Sequence, residues 1–252
     1  MDQMIGNHII RLSKVDSTNN YANSQLIGNE LAEGTVFLAY HQSSGRGQVK
    51  NRWESEPGKN LTFSIVLFPH FLDIRRQFML SKTVTLGIHK ALAKYADNIR
   101  IKWPNDMYAG NKKLGGILIE NSIMSGSIKS SVIGIGINVN QTVFVSDAPN
   151  PVSLKTLTNK QYDCELVLSE LLSGIDFYYT LLKQGEDELI DQEFISLLYH
   201  WAEKHWFSAG NETFEGEIIG VNDIGQLLVL KQDGEVHNFH FKEIEFLQQP
   251  VN

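Results

Sequence analysis

Cysteine is the scarcest residue in this chain of 252 residues, with Cys164 as its single thiol. One thiol cannot form a disulfide within the chain, and a reducing, cytoplasmic compartment is therefore expected. No apolar run approaches the roughly 20 residues that a membrane-spanning helix needs. Residues 1–13 also lack the apolar core of a signal peptide. These absences argue against a disulfide scaffold, a helical membrane protein and a secreted precursor.

The chain also lacks an excess of positively charged residues. The chain has 22 lysine and arginine residues against 29 aspartate and glutamate residues, which gives a net charge of −7. A general binder of nucleic acid or of membrane surfaces needs a basic surface. Neither function is therefore expected, although a local basic site is compatible with the net charge. The length and the 42% of hydrophobic residues are typical of a globular protein with one large and one small domain.

The stretch 100–121, RIKWPNDMYAGNKKLGGILIEN, concentrates polar groups between apolar ones. Its first strand is expected to end at Pro104, which lacks a backbone donor and has a fixed φ. Gly110 and Asn111 are typical of a hairpin tip. The stretch predicts a hairpin whose polar groups lie near two glycines, where a ligand can approach the backbone. From these residues alone, a surface hairpin with solvated charges is equally favoured. The polar side chains are those of Lys102, Asn105, Asp106 and Lys113.

Residues 16–20, DSTNN, precede a predicted helix through Tyr21 and Ile27. Such clusters usually only cap a helix. The functional alternative is that spare hydroxyl and amide groups at the helix N-terminus bind a polar ligand.

A long loop over 41–53 follows a predicted strand at 35–40. Glycines flank Arg46, so its guanidinium, which can grip a phosphate or a carboxylate, stands on a backbone free to fold over a ligand. The loop matches neither the P-loop nor the GxGxxG pattern. A disordered surface loop is the alternative, but a loop of this length inside a compact domain favours function.

The remaining pattern predicts a mixed α/β region followed by a small all-β unit. Strands are expected at 61–68 and 128–139, and helices at 73–96, 165–182 and 187–201, whereas 149–160 is rich in turn residues. From Phe207 to Leu247 the pattern is one of short strands and tight turns, typical of an SH3-like barrel. The predicted boundary separates a domain 1–203 from a domain 204–252.

Two histidine pairs are candidates for metal binding and are judged unconvincing. They are His200 with His205 and His237 with His240. The first pair does not share one helix face at its spacing, and no HExxH or CxxC pattern accompanies either pair. No metal-ligand set is therefore expected from the protein, and no GxSxG nucleophile elbow is present.

Taken together, these motifs in this order resemble the biotin–protein ligases, the ligases that biotinylate acetyl-CoA carboxylase. The resemblance covers essentially the whole chain, and KWPND followed by Lys-x-Gly-Gly-Ile-Leu is its most specific part. It implies an α+β fold like that of class II synthetases and biotin/lipoate ligases: a mixed β-sheet with helices packed on it, plus a small C-terminal SH3-like β-barrel. Some bacterial relatives begin with a DNA-binding helix-turn-helix. Because this chain begins at the catalytic region, the resemblance implies the type without it.

The resemblance also implies roles for individual residues. The polar cluster Ser17, Thr18 and Asn19, with Gln42 and the backbone at Gly116, should hold the ring and tail of biotin. The loop should close over the biotin carboxylate and the ATP phosphates through Arg46, with Gly47 and Gln48. Lys113 should reach the same groups, and Asn138 should lie near the nucleotide. Asp106, positioned by Asn105 and Lys102, is the candidate that orients or deprotonates the acceptor lysine. Gly45 and Trp53 belong to the same binding motif.

One departure from the family pattern concerns the loop. Gln48 stands where many members have a second arginine, and Val49-Lys50 stands where a glycine would follow. This predicts a looser grip on the intermediate, unless Lys50 or Arg52 supplies the missing cation.

The implied reaction uses biotin and ATP, with Mg²⁺, and forms biotinyl-5′-AMP before biotin passes to a lysine of a biotin carboxyl carrier domain. An exposed sheet edge would permit a homodimer, but the sequence reveals no such edge. No nucleic-acid partner is expected. The nearest alternative is a lipoate or octanoyl transferase of the same fold. A different class of alternative is a catalytically inactive, biotin-responsive binding module.

Overall fold

The computed structural model describes residues 3–48, 51–146 and 150–247. Two β-sheets account for its strands. The first has seven strands in the order β1-β2-β3-β7-β6-β5-β4, and the second has five strands in the order β11-β10-β9-β8-β12. The β1–β2 pair is parallel and the other pairs are antiparallel. The predicted mixed sheet, and a separate C-terminal antiparallel sheet of the kind a small barrel needs, are confirmed.

The strands of the large sheet are β1 (Ile9–Leu12), β2 (Val36–Ala39), β3 (Leu61–Leu67), β4 (Ile99–Lys102), β5 (Asp106–Ala109), β6 (Lys112–Met124) and β7 (Ser127–Ile137). The helices are α1 (Thr18–Gln25), α2 (Phe78–Leu92), α3 (Leu154–Thr158), α4 (Cys164–Gln184) and α5 (Asp187–Ser196). The small sheet consists of β8 (Lys204–Ala209), β9 (Glu212–Val221), β10 (Leu227–Lys231), β11 (Val236–Phe239) and β12 (Glu245–Phe246).

Helices cover both faces of the large sheet. Every residue of β3 is buried, which explains its continuous apolar run, since a strand covered on both sides has no polar face. Phe37, Val66 and Val132 pack with Ala22 of α1 in one apolar cluster. Strand residues that point the other way, such as Val36, belong to the main core with α2 and α4. The face that carries α1 also carries the cavity described below.

The stretch 100–121 forms two hairpins and not the single hairpin that the sequence predicts. The first turn lies at 103–105, between β4 and β5, and the second lies at Gly110 and Asn111. Asp106 is therefore the first residue of β5. The physical reason is Asn105. Its side-chain amide donates to Ile117 O, and its backbone carbonyl accepts from Ile117 N at 3.0 Å. This tie draws the turn against β6.

Two further expectations need correction. The helix predicted from 73 to 96 begins as a separate 3-10 turn, because the Asp73 carboxylate accepts from Arg75 N at 2.8 Å. Within the turn-rich stretch, α3 is a short helix capped by Ser153, which accepts from Thr156 N at 3.1 Å. Pro149, where that stretch was expected to start, lies outside the described residues. Among the helices of the described ranges, none has both the length and the apolar character that crossing a bilayer requires.

A test of the packing concerns the contact between α2 and α4. A Cβ added at Gly174 would lie 2.3 Å from Gly87 O, so the two helix backbones touch there. Gly174→Ala should destabilise the protein by about 1–2 kcal/mol, because overpacking outweighs the gain in helix propensity. Urea unfolding measures this difference. Ser173→Ala, at an exposed position of the same helix, is the matched control. Equal stability of the two variants would contradict the tight contact.

Candidate functional site

A cavity of about 780 Å³ lies between the large sheet, the 41–53 loop and the small sheet. It gathers residues from five separate stretches of the chain, including 13 of the 15 site residues that the sequence predicts. Those 13 are Ser17, Thr18, Asn19, Gln42, Arg46, Gly47, Gln48, Trp53, Lys102, Asn105, Asp106, Lys113 and Gly116. The volume is within the usual range of small-molecule sites.

The N-terminus of α1 forms one end of the cavity. Ser17, Thr18 and Asn19 are almost fully buried. The Thr18 N–H donates to Gln42 Oε1 at 2.7 Å, and Ser64 Oγ lies 2.7 Å from both Thr18 Oγ1 and Asn19 Oδ1. The helix N-cap, Ser17, makes no side-chain capping bond. Thr18 and Asn19 are therefore fixed by Gln42 and Ser64, and the cluster does not serve only as a cap.

Glycines form the floor of the cavity. Gly116 of β6 pairs with Gly136 of β7, and a Cβ at Gly136 would lie 2.3 Å from Trp53 Cε2. The indole of Trp53 therefore rests directly on the backbone of the sheet. Its Nε1 is buried and has no hydrogen-bond partner among the described residues. An indole N–H in a cavity wall is a donor that a bound ligand can satisfy.

The 41–53 loop folds over the cavity as a lid. Gly47 N donates to Asn51 O at 2.8 Å, and Trp53 N donates to Gly45 O at 2.9 Å, so the lid has two short antiparallel legs. Gly45 lies at the base of these legs and lines a smaller neighbouring cavity. Val49 and Lys50, the latter a proposed substitute cation, lie outside the described residues. Arg52 lines the main cavity.

Arg46 fastens the lid to the rest of the site. Its guanidinium contacts both carboxylate oxygens of Glu120, at 2.7 and 3.3 Å, and donates to Asn20 Oδ1 at 2.7 Å. Glu120 Oε2 also accepts from Asn19 at 2.9 Å. No role is predicted for Glu120 from the sequence, because it is 74 residues from Arg46 and spacing carries no signal of their contact.

Lys113 and Asp106 form a second ion pair in the cavity wall. Lys113 Nζ lies 2.6 Å from Asp106 Oδ2, and both side chains are about a quarter exposed. They meet because β5 pairs with β6, with a bulge next to Met107. In this structure, two of the three predicted catalytic cations thus have their own carboxylates: Glu120 for Arg46 and Asp106 for Lys113.

Lys102 is the third predicted cation, and aromatic rings surround it. Its Nζ lies 4.7 Å from the ring centre of Tyr108 and 5.1 Å from that of Phe246. Burial lowers the pKa of Lys102 and raises that of Tyr108. The small sheet contributes one wall, and no individual residue of this wall is predicted from the sequence, because nothing there distinguishes it from an ordinary barrel edge. It consists of Phe241, Lys242, Ile244, Glu245 and Phe246.

Asn138 does not line the cavity. It is buried, its amide donates to Val152 O at 3.1 Å, and its Oδ1 has no partner within the described ranges. Its predicted place near the nucleotide stays a prediction.

The charge of the described cavity wall is opposite to that of the chain. Five lining side chains are cationic and two are acidic, whereas the chain carries −7. A low-dielectric cleft lined by one sign of charge attracts the other sign. The arrangement therefore suits a ligand with a neutral polar end, bound near α1, and an anionic end, bound among the lysines.

Comparisons with known proteins identify relatives of this chain. A profile described as the Biotin/lipoate A/B protein ligase family matches residues 12–138. The chain is 30% identical over 248 residues to the Bifunctional ligase/repressor BirA of Bacillus spizizenii, which covers 92% of this chain and 72% of that protein. It is 30% identical over 224 residues to the Biotin–protein ligase of Homo sapiens, covering 82% of this chain and 30% of that protein. The biotin protein ligase from Aquifex aeolicus in complex with biotin and ATP superimposes with a TM-score of 0.78 at 26% identity, covering 96% of this chain and all of that one.

The Arg46–Glu120 pair generates a prediction about the lid. Glu120→Gln keeps a hydrogen-bond acceptor but removes the charge, and partly exposed ion pairs are worth about 0.2–1 kcal/mol. Trypsin should therefore cleave the variant within residues 46–52 about two to five times faster than the original protein. Glu212→Gln, which breaks the 2.9 Å pair with Lys231 on the small sheet, is the control. If both variants are cleaved at the original rate, the pair does not hold the lid.

Proposed function

Since the chain belongs to the biotin/lipoate A/B protein ligase family, we propose that its cavity is the active site of an ATP-dependent, AMP-forming biotin–protein ligase. The enzyme converts biotin and ATP into biotinyl-5′-AMP and pyrophosphate. It then transfers biotin to a lysine of a biotin carboxyl carrier domain of a biotin-dependent carboxylase. The observation that carries the proposal is the single cavity in which a buried neutral polar cluster faces a group of cations.

The polar end of the cavity suits the ureido ring of biotin. Thr18, Asn19 and Gln42 supply hydroxyl and amide groups that are already ordered by hydrogen bonds among the Thr18 backbone, Gln42 and Ser64. Ser17 adds a buried hydroxyl. Such preorganised groups bind a neutral polar ring without paying for their own ordering. The glycine floor at Gly116 and Gly136 lets the tail of biotin lie against the sheet.

The cationic end suits the activation step. The biotin carboxylate attacks the α-phosphorus of ATP, the bond to the bridging oxygen breaks, and pyrophosphate leaves. Two anions must meet, and charge builds on the phosphoryl oxygens. Lys102, Lys113 and the lid cations Arg46 and Arg52 offset this repulsion. Mg²⁺ would enter bound to ATP and would help to neutralise the phosphates. The carboxylates of Asp106 and Glu245, which line the cavity, would be its oxygen ligands from the protein.

The transfer step requires a neutral acceptor amine. A lysine with a pKa of about 10.4 is neutral only about once in several thousand molecules at pH 7. Asp106 orients the acceptor ammonium and takes its proton. In this structure Asp106 is paired with Lys113. Once the carboxylate and phosphate of the intermediate bind Lys113, Asp106 is free for the acceptor. The amine then attacks the acyl carbon and AMP leaves.

We also propose the wider assignments that the sequence predicts. Residues 1–203 form the catalytic domain and 204–252 the SH3-like domain. The protein works in the cytoplasm, in keeping with its single cysteine. A homodimer remains a prediction, to be tested by light scattering.

The central test is exchange of labelled pyrophosphate into ATP. The purified protein should catalyse exchange that depends on biotin, and lipoate or octanoate should not replace biotin. Absence of exchange would identify a binding module, and exchange with lipoate or octanoate would favour the related transferase.

Asp106→Asn separates the two half-reactions. Loss of a general base typically costs about 10²–10⁴ in rate, so transfer to a carrier domain should fall by that amount while biotin-dependent exchange falls less than about tenfold. Single-turnover transfer from preformed adenylate measures the first rate. Lys113→Met, the comparison variant, should lose exchange by about 10²–10³. Equal loss of both half-reactions in Asp106→Asn would count against its role.

Gln48 generates a prediction about retention of the intermediate. It lines the cavity, and its Oε1 is buried without a partner among the described residues. Because a neutral amide replaces a cation there, biotinyl-AMP should escape and label bystander proteins, and Gln48→Arg should reduce that labelling severalfold. Gln161→Arg adds the same charge at an exposed position and should change nothing. Unchanged labelling in Gln48→Arg would refute the idea of a leaky lid.

A further inference from the structure

The small sheet reaches the cavity through Phe246, on its edge strand β12. Phe246 is one of three rings around the ammonium of Lys102. The distances from Lys102 Nζ to the ring centres are 4.7 Å for Tyr108, 5.1 Å for Phe246 and 5.9 Å for Tyr199. The three rings come from β5, from the segment after α5 and from β12. We call them the aromatic cage, and the cage exists only when both sheets are in place.

No carboxylate oxygen of the described residues lies within 4.0 Å of Lys102 Nζ. Its hydrogen bond is to the hydroxyl of Tyr108, at 3.4 Å. The nearby Asp106 is engaged by Lys113 at 2.6 Å. Lys102 is thus a largely buried cation held mainly by aromatic faces, whose negative quadrupoles attract an ammonium without neutralising it. Its charge therefore stays available to an anionic ligand in the cavity.

Further ring–ring contacts hold the cage in place. Tyr199 packs against Tyr108 and Phe246, with ring centres 5.4 and 6.3 Å apart. His205 stacks on His200 at 3.8 Å and lies 6.2 Å from Phe246. These two histidines, which the sequence suggested do not share a helix face, follow the end of α5 and meet by stacking.

A second tie fixes the small sheet against the large one. The indole Nε1 of Trp103 donates to Gly225 O, in the turn before β10, at 2.9 Å. The Trp103 ring also packs edge-on against Phe241, with centres 6.3 Å apart. Trp103 directly follows Lys102 in the chain, so the contact that anchors the small sheet lies next to the cation that its Phe246 faces.

We propose that Phe246 and Tyr199 are positioning residues that hold the ammonium of Lys102 toward the phosphates of ATP, so that the C-terminal sheet completes the active site for activation. The inference rests on the function proposed above. It differs from a role of the small sheet in docking the carrier domain, because that role would affect transfer and not activation.

The test compares Phe246→Leu with Phe246→Tyr. Leucine keeps an apolar side chain but removes the ring, whereas tyrosine keeps the ring. Loss of one cation–π contact of this kind changes an equilibrium or rate constant by roughly 2- to 30-fold. In biotin-dependent pyrophosphate exchange, Phe246→Leu should lower kcat/KM for ATP by that factor and leave KM for biotin unchanged. Phe246→Tyr should stay within about twofold of the original protein.

Phe239→Leu is the matched control for general damage to the small sheet. Phe239 lies on β11, at the opposite edge of the small sheet from β12. Its ring stacks on that of Phe214, with centres 5.9 Å apart. Phe239→Leu should leave kcat/KM for ATP unchanged. Equal losses in Phe246→Leu and Phe239→Leu, or in Phe246→Leu and Phe246→Tyr, would overturn the inference. So would a Phe246→Leu variant that loses only transfer to the carrier domain.

A readout independent of activity separates this inference from the proposed function. In protein labelled with ¹³C at lysine Cε, the ring currents of the cage should shift the Lys102 signal upfield, and Lys102→Arg identifies that signal by its loss. Phe246→Leu should move the signal downfield, and Phe246→Tyr should not. If the signal responds but the protein shows no biotin-dependent exchange, the proposed function fails while the cage stands. An unshifted signal in the original protein would refute the cage.

Discussion

Several cations face one cavity, and each must be held in place against the repulsion of the others. The structure meets this constraint in three ways. Arg46 is gripped by a carboxylate on β6, Lys113 by a carboxylate across the β5–β6 ladder, and Lys102 by aromatic faces. Carboxylates neutralise the cations they hold, whereas rings do not. The three cations therefore differ in how freely their charge is offered to an anionic substrate, and Lys102 offers it most freely.

This difference gives the catalytic cycle a physical order. Before substrates bind, the two ion pairs keep the lid and the Lys113 side chain in defined positions without an uncompensated charge. In the proposed reaction, an incoming carboxylate or phosphate would compete with Asp106 for Lys113. This would release an acidic group near the place where the acceptor amine must arrive, so that activation would prepare transfer. Because the chain carries a net charge of −7, the excess of cations in the cavity wall is a local feature.

Much of the site could be predicted from local sequence. The cluster before α1, the glycine-flanked arginine and the KWPND turn each contain residue types whose backbone preferences are strong, and the cavity brings all three together. A prediction failed where a hydrogen bond between separate strands decides the local structure. Asp106 begins a strand because Asn105 binds the backbone of Ile117.

The sequence by itself determined the family, the mixed α/β region followed by a small all-β unit, and the identity of most groups in the cavity, because these depend on residue type and on short-range periodicity. Tertiary structure alone decided the partner of each cation. Glu120 meets Arg46 across 74 residues, and Phe246 meets Lys102 from a different sheet. Such contacts depend on how distant strands and loops pack in space, and neither spacing nor composition encodes that packing in a readable way.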